Sequence, residues 1–141
     1  MKIVIDMDNT LTDLNGKHVR PGIETLLQML INDRHTLVIW TNSPRARAMD
    51  ILRENQLVTY FSQFIYREDY DPSNRGLHKD IGKIGADLII DDDPAEIDFN
   101  RKKKKRGILV RSFMSASTKM EPDEYKKIYS QVKKRKIWGG K

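Results

Sequence analysis

The feature that most constrains the fold is an apolar run at the start of the chain that ends in two aspartates. Residues 2–5 lead directly into Asp6, and Asp8 follows after one residue. An apolar run of this length indicates a buried strand, as parallel sheets require. Asp6 and Asp8 would then stand at the carboxyl end of the strand, where open α/β sheets bind ligands. The alternative is that one aspartate caps a turn and the other is solvated, but two adjacent carboxylates are costly to bury without a cation or donors.

Apolar runs alternate with helical periodicity along the rest of the chain. Further strands are predicted at 36–40, about 64–66, 86–90 and 108–110. Helices are predicted from Pro21-Gly22 to Asn32, from Ser43-Pro44 to about Asn55, over 77–84, from Pro94 to about Arg106, and over about 122–138. In these predictions Ser43 is an N-cap, Pro21, Pro44 and Pro94 lie in first helical turns, Gly107 stops a helix, and 67–75 is a loop. The alternation predicts an α/β fold, a three-layer Rossmann-like parallel sheet of about five strands with right-handed crossovers.

Polar residues follow three of the predicted strands and should meet at one edge of the sheet. Asp6 and Asp8 follow the first strand, and Asp91 and Asp92 follow the fourth. Four carboxylates in one place repel each other strongly, so a hard divalent cation with oxygen ligands, such as Mg2+, is the natural remedy. An aspartate beside such an ion can act as a nucleophile and form an aspartyl-phosphate.

The second strand and the segment before the fourth supply the donors that phosphoryl transfer needs. Thr41 offers a hydroxyl group, and the turn at Asn42 offers backbone N–H groups. Lys79 or Lys83 supplies a cation, since both precede the fourth strand.

Four segments together resemble the motifs of the haloacid dehalogenase-like phosphatases. Residues 6–11 (DMDNTL) resemble the first motif, DxDxT, and 38–43 resemble the second, an apolar strand that ends in Thr or Ser. Lys79 resembles the lysine of the third motif, and 89–92 (IIDD) resemble the acidic fourth motif. The resemblance covers roughly residues 1–111. Residues 79–85 and 91–94 are most similar to phosphatases of the RNA polymerase II C-terminal domain and their small relatives, although Asp93 replaces their usual Ser.

The resemblance implies a role for each matching residue. Asp6 would attack phosphorus, and Asp8 would protonate the leaving oxygen and then activate water. Thr41 and Lys79 would hold phosphoryl oxygens. The implied Mg2+ ligands are the Asp6 carboxylate, the Asp8 backbone carbonyl and Asp92, with Asp91 assisting from the second shell or through a water.

Several of these residues have an ordinary structural alternative. Asp91 or Asp92 could simply cap the helix that Pro94 opens, because aspartate is a favoured cap. Lys83 is interpreted as a solvated helix residue, and Trp40 as core. The histidines, His18, His35 and His78, show no ligand spacing and are interpreted as surface or loop residues, with His18 and His78 near the mouth of the site.

The motif spacing leaves no room for a cap domain over the site. Only 30 residues separate Thr10 from Thr41, and one helix and one strand use nearly all of them. The expected site is therefore open, with walls at 11–20 and 67–75. Small metabolites usually need enclosure, so an open site favours a phosphate carried by something large.

The charge of the chain is divided between its two parts. Residues 101–141 contain 15 Lys and Arg against 3 Asp and Glu, a net of +12, which leaves −6 in residues 1–100 of a chain with net charge +6. A basic surface at 101–106 and 126–136, with Trp138 just beyond it, would suit nucleic acid or another polyanion. The alternative is a solvated helix face.

Composition gives the remaining expectations. The chain contains no cysteine, which fits a reducing, cytoplasmic compartment. It has no membrane-length apolar run and no signal-peptide pattern, and 1–141 is expected to be a single domain. The predicted function is Mg2+-dependent phosphomonoester hydrolysis through an aspartyl-phosphate, on a nucleic-acid end or a phosphoprotein. A small-nucleotide or metabolite phosphatase, or a catalytically silent polyanion-binding module, remains an alternative.

Overall fold

The computed structural model describes residues 1–134, which form one five-stranded parallel sheet between two layers of helices. The strands are β1 (Lys2–Ile5), β2 (Thr36–Trp40), β3 (Gln63–Ile65), β4 (Leu88–Asp91) and β5 (Arg106–Leu109). The α-helices are α1 (Ile23–Asn32), α2 (Arg45–Glu54), the single turn α3 (Arg67–Tyr70), α4 (Pro94–Lys102) and α5 (Glu124–Lys133). Two 3-10 turns lie at Val58–Tyr60 and Ile81–Ile84. The predicted fold class is confirmed.

The strand order places β1 at the centre of the sheet. The order is β3-β2-β1-β4-β5, and Val4 of β1 lies opposite Val38 of β2 and Ile89 of β4. Because helices cover both faces of the sheet, β1 is apolar at every position from Ile3 onward, and each of these side chains is buried. The central position of β1 brings the residue after Ile5 between the ends of β2 and β4.

The two faces of the sheet have separate cores. Alternate residues of each strand point to opposite faces. Ile3 and Ile5 belong to the larger core, which also contains buried side chains of α1, α2 and α5. Val4 belongs to the smaller core, which Ile97 of α4 and Ile81 help to close.

Two helices begin later than their prolines predict. Pro44 is the N-cap of α2 in an extended conformation, so α2 begins at Arg45 and the predicted Ser43 cap is wrong. Gly22, at φ 79°, precedes α1, so Pro21 also lies outside its helix. A Cβ atom at Gly22 would lie 2.4 Å from the Tyr125 ring, which explains the glycine. Pro94 does open α4, as predicted.

The predicted role of Gly107 as a helix stop is also wrong. Helix α4 ends at Lys102, and Lys104 takes the left-handed conformation, φ 65°, in the turn that follows. Gly107 lies inside β5, where a Cβ atom would stand 3.0 Å from Ile97 Cγ2 of α4. The glycine therefore permits a close approach of helix to sheet.

The segment between β3 and β4 differs most from the prediction. The predicted loop 67–75 contains the helical turn α3, and the predicted helix 77–84 is reduced to the 3-10 turn Ile81–Ile84. The Asp71 carboxylate accepts N–H groups of Arg75, Gly76 and Leu77 at 2.8–3.1 Å, which holds this backbone in a non-helical path.

The last helix is shorter than predicted over the described residues. Helix α5 runs from Glu124 to Lys133, against an expected 122–138. Residues 135–141, which include Arg135, Lys136 and Trp138 of the predicted basic surface, lie outside the described residues.

Candidate active site

The carboxyl ends of three neighbouring strands bring the predicted polar residues together. Asp6 follows β1, Thr41 follows β2, and Asp91 is the last residue of β4. The Asp6 N–H donates to the carbonyl of Ile90 at 3.1 Å, which continues the β1–β4 ladder into the site. The site therefore rests on the central strands of the sheet.

Three carboxylates form a compact cluster. Oxygens of Asp6, Asp91 and Asp92 lie within 4.8 Å of one another, and Asp6 and Asp91 are buried. Burial raises the pKa of the Asp6 carboxyl well above its usual range, against the opposing effect of the Lys79 ammonium. Three carboxylates lie here against a single ammonium group, so the cluster carries excess negative charge. A hard divalent cation such as Mg2+ fits such a cluster.

Lys79 is the cation that the structure places in this cluster. Its Nζ donates to Asp6 Oδ1 and to Asp91 Oδ2, both at 2.9 Å, and the residue is only 5% exposed. Burial by itself would lower the pKa of Lys79, but the two carboxylates outweigh it and raise this pKa. Lys83, the other sequence candidate, lies exposed in the 3-10 turn.

Two residues of α4 fix the backbone of Lys79. Its N–H donates to Glu96 Oε1 at 2.8 Å, and its carbonyl accepts from Asn100 Nδ2 at 2.8 Å. Glu96 and Asn100 are one helical turn apart, so they present side chains on the same face of α4. Sequence reasoning missed both, although their i, i+4 spacing after an acidic strand end was a usable signal.

Hydroxyl groups connect the carboxylates. Thr10 Oγ1 donates to Asp6 Oδ2 at 3.0 Å and approaches Asp92 Oδ1 at 3.3 Å. Ser112 Oγ donates to Asp92 Oδ2 at 2.6 Å. Ser112 lies beyond β5, far from the motifs in sequence, and only the fold reveals its position.

Helix α4 is capped by neither Asp91 nor Asp92, so that alternative is wrong. The cap is Asp93, whose Oδ1 accepts the N–H of Ala95 at 2.9 Å. Asp91 Oδ1 accepts the N–H of Asp93 at 3.0 Å, and its other oxygen pairs with Lys79. Asp92 is therefore the more available of the two for a metal ion.

Thr41 and Asn42 lie at the end of β2 with different exposure. Thr41 is fully buried, and its Oγ1 accepts the N–H of Ser43 at 3.0 Å. Asn42 is exposed, and Tyr70 donates its hydroxyl to Asn42 Oδ1 at 3.3 Å. Burial raises the pKa of Tyr70 to about 12, so it stays a neutral donor at physiological pH.

Asp8 stands apart from the carboxylate cluster and has its own cation. Arg47 Nη1 lies 2.9 and 3.2 Å from the two oxygens of Asp8, whose side chain is 26% exposed. Burial raises the pKa of Asp8, and Arg47 opposes that rise. The two aspartates of the first motif therefore occupy different electrostatic environments.

A buried arginine holds the turn that carries Asp8. Arg20 is 2% exposed and donates to the carbonyls of Thr10 (2.6 Å) and Asn9 (3.0 Å), and to Arg111 O and Glu124 Oε1. Asn9 takes φ 64°, so the turn needs this support. Sequence reasoning placed Arg20 only at the start of a helix.

The histidines and Trp40 fit their structural interpretations. Trp40 is buried, His35 contacts the N-terminal amine, and His18 contacts Asp13. His78 stacks on Phe99 and lines a groove of about 840 Å³ beside the site, together with Trp40, Tyr70 and Leu77.

The basic run lies at the edge of the sheet opposite the site. Helix α4 starts beside the carboxylates and ends at Lys102, and Arg106 then lies opposite Leu88, at the start of β4. Arg106 donates to the carbonyls of Gln131 and Val132 near the end of α5. Basic side chains of both helix ends line a second groove, formed by Arg101, Lys105, Arg106 and Lys134 among others.

Residues 1–134 include no helix that is long and apolar enough to cross a membrane.

Solved structures share this fold at low sequence identity. A candidate β-phosphoglucomutase from Thermotoga maritima is 13% identical, with a TM-score of 0.69 over 93% of this chain and 99% of that one. A predicted phosphatase from Clostridium acetobutylicum is 14% identical, with a TM-score of 0.64 over 93% and 97%. A HAD-superfamily hydrolase from Ehrlichia chaffeensis is 14% identical, with a TM-score of 0.61 over 92% and 96%. These likenesses support the fold of residues 1–134, which contain no cap domain.

The family of the protein follows from a comparison of its sequence with a family model. No curated protein matches the chain significantly. The model of the NLI interacting factor-like phosphatases matches residues 1–136. Because this match covers nearly the whole chain and agrees with the motifs at the strand ends, the protein belongs to the NLI interacting factor-like phosphatases, within the haloacid dehalogenase-like superfamily.

Proposed function

We propose that the protein hydrolyses phosphomonoesters through a covalent phosphate on Asp6. The observation that carries this proposal is the position of the Asp6 carboxylate, held between Lys79 Nζ and Thr10 Oγ1 at the open edge of the sheet. A carboxylate fixed from two sides needs no reorientation before it attacks, which is the advantage of a preorganised nucleophile.

In the first step an oxygen of Asp6 attacks phosphorus and the ester P–O bond breaks. Asp8 gives its proton to the leaving oxygen, so the product departs as a neutral alcohol. Thr41, the backbone at Asn42, and Lys79 hold the phosphoryl oxygens while charge moves onto them. Lys79 can turn from Asp6 toward phosphate without losing Asp91.

In the second step water attacks the phosphorus of phospho-Asp6. Asp8, now a carboxylate, removes a proton from that water. The bond between phosphorus and Asp6 breaks, inorganic phosphate leaves, and the Asp6 carboxylate is restored. Asp6 lies in the buried carboxylate cluster beside Lys79 and Thr10, whereas Asp8 lies outside that cluster and contacts Arg47, and these separate positions support this division of roles.

Mg2+ is the cofactor that we propose for the carboxylate cluster. Asp6, Asp92 and the backbone carbonyl of Asp8 would hold it, with Asp91 assisting indirectly because its oxygens already bind Lys79 and the Asp93 N–H. When bound, the ion shields the charge of the nucleophile and polarises the phosphoryl group.

Phosphate release from p-nitrophenyl phosphate tests this function. Wild-type protein should release phosphate with Mg2+ and stop on addition of EDTA. Asp6→Asn should abolish turnover, whereas Asp50→Asn, an exposed aspartate on α2, should not. Full activity of Asp6→Asn would disprove the nucleophile assignment.

The substrate that we propose is an accessible phosphate on a macromolecule, first a nucleic-acid end and second a phosphoprotein. Within residues 1–134 no additional domain covers the site, which supports a large substrate. A panel of 3′- and 5′-phosphorylated oligonucleotides, phosphopeptides and nucleotides would rank the candidates. Faster turnover of free nucleotides than of every oligonucleotide would favour the small-molecule alternative.

A second candidate function, polyanion binding, is favoured by the basic groove at the opposite edge. We propose that Arg101, Lys105, Arg106 and Lys134 bind nucleic-acid phosphates there. Affinity for single-stranded DNA should fall steeply from 50 to 200 mM salt. If binding does not depend on salt, or if no binding is found, these basic residues form only a solvated surface. Binding without phosphate release would favour the catalytically silent module.

A further inference from the structure

One cation at the mouth of the site has no part in the two steps above. Arg47 Nη1 donates to both oxygens of Asp8 and, at 3.0 Å, to Ser43 Oγ. Arg47 Nη2 donates to the backbone carbonyl of Leu14 at 2.8 Å. The guanidinium thus bridges the end of β2, the first-motif turn and the loop that walls the site.

The position of Arg47 in its helix is not explained by helix stability. Arg45 and Arg47 both lie in the first turn of α2, which contains no acidic residue. Positive charge is unfavourable at the N-terminal end of a helix, because the macrodipole is positive there. The arginine is instead well placed for an anion that arrives at the mouth.

Arg47 is far more accessible than Lys79. Its side chain is 41% exposed and that of Asp8 is 26% exposed, whereas the Lys79 side chain is 6% exposed and held by two buried carboxylates. Ion pairs that water reaches contribute little to stability. An incoming phosphate can therefore compete with Asp8 for the guanidinium.

The partner of Arg47 indicates which part of a substrate it would meet. Asp8 acts on the leaving oxygen in the proposed mechanism, so Arg47 lies on the leaving-group side. Lys79 and Thr41 serve the phosphoryl group that is transferred. A guanidinium forms paired hydrogen bonds with phosphate oxygens, which suits it to a second, unreactive phosphate.

We propose that Arg47 binds a second phosphate on the leaving-group part of the substrate. The preferred substrates are then phosphomonoesters with another phosphate close to the ester, as in nucleoside bisphosphates and phosphorylated nucleic-acid ends. This inference rests on the proposed function for the identity of the reacting phosphate, and it narrows the substrate class.

Equilibrium binding to the non-reacting Asp6→Asn protein tests the inference without turnover. The probes are adenosine 3′,5′-bisphosphate and the two adenosine monophosphates, titrated calorimetrically with Mg2+. The bisphosphate should bind at least about tenfold more tightly than either monophosphate, because one hydrogen bond between charged groups contributes a free energy of that size. Adding Arg47→Gln should remove this advantage, and Arg47→Lys should retain part of it.

Arg45→Gln is the matched control, because it removes the same charge from the same helical turn. The Arg45 guanidinium lies over the Tyr66 ring rather than at Asp8. The inference is overturned if the bisphosphate has no advantage, if Arg47→Gln and Arg47→Lys both leave the advantage intact, or if Arg45→Gln removes it equally.

A peptide in which an acidic residue stands next to a phosphoserine tests whether Arg47 binds a carboxylate rather than a second phosphate. If Arg47→Gln weakens that peptide but not the bisphosphate, the proposed substrate class is wrong. Absence of phosphate release by the wild type would count against the proposed function alone, since the binding readout does not depend on it.

Discussion

Lys79 pairs with two carboxylates, Asp6 and Asp91, that would otherwise be buried without a cationic partner. It reaches Asp6 and Asp91 at equal distances of 2.9 Å, from a backbone that α4 holds on both sides. Breaking a buried ion pair by removing one partner is strongly destabilising, because the remaining charge keeps its desolvation cost. One side chain therefore connects the stability of the fold with the proposed chemistry.

Replacement of this lysine should cost stability that a metal ion can restore. In EDTA, Lys79→Met should lower the free energy of unfolding by about 3–5 kcal/mol. Mg2+ should recover part of the loss, because binding to the folded state stabilises it. Urea denaturation of Lys79→Met and of the exposed control Lys83→Met measures both effects. Equal stability of the two variants would contradict the assigned position of Lys79.

Asp8 should affect activity much more than stability. Asp8→Asn should lower kcat/KM by about 10²–10⁴-fold, the range of general acid–base catalysis. Because nitrophenolate leaves without protonation and an alkoxide does not, the loss should be larger for an alkyl phosphate than for p-nitrophenyl phosphate. Steady-state kinetics on the two substrates gives the comparison, and identical losses would argue against proton transfer by Asp8.

At the scale of elements, the segment between β3 and β4 depends on one carboxylate. Asp71 holds the N–H groups of Arg75, Gly76 and Leu77, two residues before Lys79. The Arg75 N–H is the main cause that lowers the pKa of Asp71, and burial opposes it. The folded pKa lies below the unfolded value, so this stabilisation is present above about pH 3.9 and is lost as pH falls through the folded pKa.

The stability of Asp71→Asn should therefore depend on pH differently from that of the wild type. Near pH 7 the variant should be less stable, because a neutral amide accepts N–H groups more weakly than a carboxylate. Below the folded pKa the difference should disappear. Urea denaturation at a series of pH values from 7 downward measures the gap, and a gap that does not narrow as the pH falls below the range in which carboxyl groups titrate would exclude the charge as its cause.

Gly107 should tolerate no side chain without a cost in packing. In Gly107→Ala the new Cβ atom would stand 3.0 Å from Ile97 Cγ2, which overpacks the contact between β5 and α4. The expected loss is about 1–3 kcal/mol of unfolding free energy. Gly82→Ala is the control, since its nearest contact is 3.5 Å. Thermal denaturation of the two variants measures the difference, and equal stabilities would contradict the close contact between β5 and α4.

The strands and helices were predictable where the local pattern of apolar residues matches their burial in the fold. All five strands lie within two residues of their predicted positions, because buried parallel strands have continuous apolar runs. The helix predicted over 77–84 does not form in full, since the Asp71 and Glu96 carboxylates accept the N–H groups of Leu77 and Lys79 and outweigh the local preference for helix. Gly107 directly follows the predicted end of the helix at about Arg106, and only the structure shows that α4 ends at Lys102 and that Gly107 faces Ile97.

The candidate site was predictable to the extent that its residues end strands. Asp6, Thr41 and Asp91 occupy the expected edge because the chain reaches it at the end of each strand. Ser112, Arg20 and Arg47 come from a loop and two helix starts, so their contacts depend on tertiary packing that no local pattern encodes.

At the scale of the whole molecule, acidic and basic groups lie at opposite edges of the sheet. The carboxylates occupy the end of the strands, and Arg101 to Arg106 occupy the beginning, along with the end of α5. Helix α4 spans the interval with nine residues, or about 14 Å at 1.5 Å per residue. A single ligand must be longer than this to touch both edges.

The proposed nucleic-acid substrates should therefore show a dependence on length. At low salt, KM for 3′- or 5′-phosphorylated single strands should fall between a trimer and a dodecamer, because only the longer strand reaches the basic groove while its end is in the site. At 0.5 M salt the difference should vanish through screening. Combined Lys105→Gln and Lys134→Gln substitutions, both in the basic groove, should also remove it. A KM that does not depend on length would show that the basic groove takes no part in substrate binding for catalysis.

The separation of the two edges has a mechanical consequence for a nucleic acid bound at the basic groove. Duplex DNA has a persistence length of about 50 nm, so bending it around a domain of this size costs free energy that a small basic groove does not supply. A duplex held there passes the protein as a straight rod with the active site on the far side. A flexible single strand can follow the surface from one edge to the other. In this geometry the bending stiffness of a nucleic acid, rather than its base sequence, determines whether a strand bound at the basic groove can place its own end in the active site.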